Sequence, residues 1–148
     1  RQPDESAPAE PPRCPAPPAG ALASVSCDVS RIVLARPVAF HPGRSIPPAP
    51  ARAALDRVAE LLRERDDILL VRVEAYSSRR VGSSPDARRQ EMAESQLRAD
   101  AILGYLWRRG RISAERLEAV GYGADARFEG HEQRWPVVLR ILQRTRVP

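Results

Sequence analysis

Between Ile68 and Ala75 the chain alternates, with Leu69, Val71, Val73 and Ala75 on one side and Leu70, Arg72 and Glu74 on the other. A period of two puts successive side chains on opposite faces of a pleated strand, so this segment predicts a strand inside a sheet. The segments flanking it follow the other period. After Pro50, residues Ala54, Leu55, Val58, Leu61 and Leu62 recur at the i, i+3, i+4, i+7 spacing of an amphipathic helix. Beyond the strand, residues 87–109 read as the longest helix, with Met92, Ala99, Ile102, Leu103 and Leu106 as its core stripe and Gly110 as its stop. A strand set between two one-faced helices requires a sheet covered by helices.

The remaining elements are shorter. Residues 25–40 are β-prone, with Ile32-Val33-Leu34-Ala35 as the strand centre and Pro37 as its end or bulge. Residues 41–48 and 76–86, rich in Pro, Gly and Ser, predict loops. Ser113-Ala114-Glu115-Arg116 predicts a capped single turn before a short strand at 117–120, and Trp135 to Leu142 predicts the closing strand, with Pro136 near its start. The resulting order is β-α-β-α-(short turn)-β-β, an α+β fold with a mixed sheet packed by helices. At 148 residues the chain fits one domain and a tail. Residues 1–21, dominated by Pro, Ala and charge, predict an extended linker, and 22–148 the domain.

The net charge of +5 comes entirely from arginine, and the chain has neither lysine nor asparagine. That bias reads as codon usage as much as selection, so the charge is a weak guide to partners. Acids and bases intermix along the first helix, from Arg57 and Glu60 to Arg63, Glu64, Arg65 and Asp66, which is the pattern of a solvated face. Nucleic acid is not the expected partner. His41 and His131 stand alone without a second ligand at metal spacing, and no nucleophile elbow, phosphate loop or paired-cysteine motif occurs. No enzyme and no cofactor are expected. No run of 18 apolar residues predicts a membrane span. Cys14 and Cys27 either pair, stapling the tail to the first strand in an oxidising compartment, or remain two thiols.

Three segments share an order with a known family. A strand runs into Tyr76-Ser77-Ser78, a helix carries Ser95-Gln96-Leu97-Arg98-Ala99, and Gly121-Tyr122-Gly123 follows the next strand. Over residues 31–143 this resembles the OmpA-like domain, the peptidoglycan-associated module of OmpA, Pal and MotB proteins. The resemblance implies a periplasmic, outer-membrane-associated, non-enzymatic module. It also implies that Arg98, with the turn after the strand, holds the diaminopimelate of a peptidoglycan stem peptide. Such a zwitterion needs a guanidinium for its carboxylate and an acid for its ammonium.

The chain departs from the family at Ser77-Ser78, where the family carries Thr-Asp. Glu91 stands in the place of the family's helix asparagine, and Gln133-Arg134-Trp135 keeps one arginine of a final Asn-Arg-Arg motif. Ser77, Ser78, Glu91, Arg98 and Arg134 are therefore the candidate wall-binding residues. On spacing alone, Arg98 also suits a surface pair with Glu94, and Asp86 and Glu91 suit solvent-facing acids of a helix start. Trp107 and Trp135 read as core or edge packing. A second reading makes the chain a degenerate OmpA-like domain without wall binding, an assembly module that meets an envelope protein through an arginine-rich loop holding Arg79, Arg80, Arg88 and Arg89. A third, a polyanion binder using the same loop, predicts steep salt dependence.

Overall fold

The computed structural model describes residues 17–40, 46–77, 84–124 and 137–145. A hairpin opens the fold, β1 at Ala23–Val25 and β2 at Arg31–Leu34, followed by helix α1 at Ala49–Glu64 and strand β3 at Ile68–Ala75. Helix α2 at Pro85–Arg108 leads through a 3₁₀ turn, Ala114–Arg116, into β4 at Leu117–Gly121, and β5 at Val137–Arg144 closes the sheet. The strands lie in the order β1-β2-β5-β3-β4, antiparallel except for the parallel β3/β4 pair. The α+β class follows, and β5, last in sequence, occupies the centre of the sheet.

Both helices pack on one sheet face and share its core. Leu55, Val58 and Leu62 of α1 meet Ile102 and Leu106 of α2 over Ile32, Val71, Val73 and Leu139, all buried. Burying each such side chain contributes about 1.5–3 kcal/mol. The α1 stripe read from the sequence is buried in full.

Four expectations need correction. The β-prone run is a hairpin, because Ser26-Cys27-Asp28-Val29-Ser30 turns the chain. Asp28 Oδ1 accepts from the Ser26 hydroxyl at 2.8 Å and from the Ser30 hydroxyl at 2.7 Å, while Val29 takes a left-handed φ of 55°. In β3 the alternation breaks. Register shifts between Ile68 and Leu70 and between Leu70 and Val71 bulge the strand, so Ile68 and Val71 are both buried and Leu69 is exposed. Met92 is not in the core, being 48% exposed. Nor is Gly110 the left-handed stop of α2. Arg111 takes that conformation at φ 57°, whereas a Cβ on Gly110 would lie 2.7 Å from Ala59 Cβ and 2.6 Å from Leu106 O, so the glycine serves the approach of α1 to α2.

Arg116 joins the elements from the 3₁₀ turn. Its guanidinium donates to the carbonyls of Leu62 (2.8 Å), Arg65 (3.1 Å) and Ile68 (2.8 Å), satisfying acceptors that the end of α1 leaves open. Arg63 donates to Gly110 O, tying the ends of the two helices. Cys27 is disulfide-bonded, while Cys14, the other cysteine of the sequence, lies outside the described residues. So do most of the expected linker, both histidines, Trp135 and Pro136.

Candidate functional site at the exit of the parallel strands

The β3-α2-β4 unit is a parallel crossover, so the N-terminal half of α2 lies beside the C-terminal ends of both strands. Such strand ends are where open sheets place ligands. Ser84 caps the helix by accepting from Ala87 N, and Pro85 fills its first turn. Arg88 and Arg89 thus belong to α2 and not to a loop. Both are exposed, and Arg89 pairs with Asp86.

Along α2 the face turned inward is polar in its first half and apolar in its second. Ala87, Glu91, Ser95 and Arg98 precede Ala99, Ile102 and Leu106 on the buried side. That rotation puts Met92 outside. Glu91 is 3% exposed, which overturns its reading as a solvent-facing acid.

Arg98 is 5% exposed. Nη2 donates to Glu94 Oε1 at 2.7 Å, so the helix-surface pair suggested by spacing forms, but on a buried guanidinium. Its Cζ lies 5.2 Å from the centroid of the Phe40 ring, within cation-π range. Nε is buried and has no hydrogen-bond partner among the described residues. An unsatisfied buried donor on a cation costs about 1–3 kcal/mol or more, and an incoming carboxylate would remove that cost. Nε and Nη2 form the side edge that carboxylates accept, and Glu94 already holds Nη2 of that edge.

The turn after β4 is locked to the same helix. Gly121 N donates to Gln96 Oε1 at 2.9 Å, and Gln96 Nε2 donates to Ala119 O at 3.1 Å, so one amide side chain satisfies two groups on the β4 edge. A Cβ on Gly121 would lie 2.2 Å from Gln96 N. Gly123 has φ +65°, and a Cβ there would lie 2.9 Å from Met92 Sδ. Its N–H donates to Ser95 Oγ at 2.9 Å, and its carbonyl accepts from Ser77 N at 2.9 Å. Ser77 is thus linked through Gly123 to Ser95, and Glu91 and Arg98 lie about one turn to either side of Ser95 on the buried side of α2. Ser78, Arg79, Arg80 and Arg134 lie outside the described residues. Sequence reasoning assigned no role to Phe40 or Gln96. The Gly-x-Gly spacing was the one signal that α2 passes close by.

The opposite sheet face carries a separate polar group. Arg72 pairs with Glu118, Arg140 Nε donates to buried Glu74 at 3.1 Å, and Tyr76 stacks on Tyr122 with centroids 5.3 Å apart. Trp107 is 47% exposed beside Arg108, so it is edge packing at most. Among the described residues there is no group of three His, Cys, Asp or Glu fit for a metal, and no helix is long and apolar enough to cross a membrane.

A two-layer domain with a buried arginine at a parallel crossover is thus the class this geometry defines. Residues 39–134 match the model of the OmpA family, and the chain belongs to that family. Solved structures agree in fold. The OmpA-like domain of FopA1 from Francisella tularensis subsp. tularensis SCHU S4 is similar at 17% identity and TM-score 0.58, over 74% of this chain and 72% of that one. The peptidoglycan-associated lipoprotein from Burkholderia pseudomallei is similar at 18% identity and TM-score 0.57, over 73% and 90%. An outer membrane protein from Borrelia burgdorferi B31 is similar at 20% identity and TM-score 0.61, over 83% and 99%. No curated protein matches the sequence.

Proposed function

We propose that this domain is a non-enzymatic envelope module, periplasmic and associated with the outer membrane, that anchors to peptidoglycan through the pocket around Arg98. The observation that carries the reading is the buried guanidinium whose Nε lacks a partner among the described residues, beside the strand ends of an OmpA-family fold. Arg98 would take the carboxylate of a diaminopimelate side chain, and Ser77 and Ser78 would add hydroxyl hydrogen bonds. The family's aspartate is replaced by Ser78, so the ammonium needs another acid. Glu91 shares the buried face of α2 with Arg98, two turns away, and is the residue we assign to that charge. Arg134 is a second donor for the carboxylate.

A second reading is favoured by one contact. Glu94 already holds Nη2 of Arg98, and the sequence has no aspartate at Ser78. On that basis the pocket would be closed to wall peptide and the domain would serve protein assembly, with the arginines at 79, 80, 88 and 89 as its contact surface.

Sedimentation with isolated peptidoglycan sacculi separates the two. Wall anchoring predicts that wild type pellets, that Arg98→Ala stays soluble, and that free diaminopimelate competes with little salt dependence. Wild type remaining in the supernatant overturns it in favour of the assembly module.

A further inference from the structure

We infer that Ser95 is the positioning residue of the pocket, holding the exit of β3 in register with Arg98. The inference rests on the wall-binding reading for its consequence, but its physical basis is independent.

Ser95 is fully buried, and its hydroxyl uses both of its capacities. The O–H donates to Met92 O at 2.9 Å, which fixes the rotamer, and a lone pair accepts from Gly123 N at 2.9 Å. Gly123 in turn accepts from Ser77 N through its carbonyl at 2.9 Å. A continuous chain of hydrogen bonds therefore runs from α2 through the turn after β4 to the first residues beyond β3. Arg98 lies three residues past Ser95 on the same helix face, so both halves of the pocket are referenced to one turn of α2.

Gln96 holds the neighbouring Gly121 and Ala119, inside β4. Ser95 alone of the two reaches past the strand end, where the turn must be placed for a ligand. Gly123 accepts this role because its φ of +65° aims the N–H at the helix while the carbonyl faces Ser77.

The test uses Ser95→Ala and Ser95→Thr in the whole chain. Alanine is the best helix former, so the first variant keeps α2, and threonine restores the hydroxyl. Amide hydrogen exchange at Ser77 and Gly123 and affinity for a soluble diaminopimelate-containing muropeptide are read together. We expect faster exchange at both amides in Ser95→Ala, an affinity about tenfold lower, equivalent to one lost hydrogen bond, and recovery of both in Ser95→Thr. Unchanged exchange at Ser77 in Ser95→Ala overturns the inference. So does faster exchange with wild-type affinity, because the tie would then be structural without placing the pocket. If wild type does not bind the muropeptide, the wall-binding reading fails, and the exchange result alone decides whether Ser95 sets the turn.

Discussion

At Gly121 the backbones of α2 and β4 lie too close for a Cβ, and Gly121→Ala should be among the most damaging single changes in the fold. A Cβ there would lie 2.2 Å from Gln96 N and 2.6 Å from both Gln96 Cα and Ser95 C, all backbone of α2. Ordinary contact begins at 3.4 Å, and no side-chain rotation can supply the difference, so the helix must retreat from β4. Overpacking of this kind costs about 1–3 kcal/mol. Retreat also stretches the two Gln96 bonds to Gly121 N and Ala119 O, each worth about 1 kcal/mol. We expect a total loss of roughly 3–5 kcal/mol, or a fall in Tm on the order of 10–20 °C for a domain this size. Gly104→Ala is the control, since a Cβ there meets nothing within 4 Å and Gly104 lies inside α2. It should gain about 0.5–1 kcal/mol from helix propensity. Urea denaturation of the three proteins measures both effects. A Gly121→Ala loss below about 1 kcal/mol would show that α2 is not held against β4 as described.

Arg116→Ala should lose about 2–4 kcal/mol in urea denaturation, because the carbonyls of Leu62, Arg65 and Ile68 lose a charged donor together. Arg116→Lys should recover only part, since an ammonium cannot span three acceptors as a guanidinium fork does. The hairpin turn makes stability depend on acid pH. The Ser30 hydroxyl first, then the Ser26 hydroxyl and the Ser30 amide, hold Asp28 at a pKa of about 2, below its ordinary 3.8. A carboxylate depressed on folding contributes stability that is present above the unfolded value and lost as pH falls through the folded one. Tm should therefore fall between pH 3.8 and about 2, with part of that slope absent in Asp28→Asn.

Helix α1 and the second half of β3 were legible in the sequence because burial enforces their periods. The α1 stripe of Leu55, Val58 and Leu62 came through unchanged, since each of those residues is apolar and each is needed by the core. The α2 stripe was rotated because half of its buried face is polar. A period search seeks apolar positions, so it chose Met92 and passed over Glu91 and Ser95, which take the inward positions beside the strand ends. That mismatch between pattern and burial coincides with the candidate site, where local rules are expected to yield. The bulge that exposes Leu69 and the hairpin around Asp28 depend on register with β5 and on side-chain bonds in a five-residue turn, neither of which alternation encodes. Family resemblance located Arg98, and helical spacing gave its pairing with Glu94. Its burial, and the Nε left without a partner among the described residues, depend on tertiary packing that no local pattern encodes.

The pocket is tested most directly by titrating meso-diaminopimelate into isotope-labelled protein and following the amide signals and the arginine Nε signals by NMR. The account predicts saturable shifts at Ser77, Ser95, Gly123 and the Arg98 Nε–H, all absent from Arg98→Ala except for residual changes at Ser77. Shifts confined to the exposed arginines of the first turn of α2, or none at all, would contradict it.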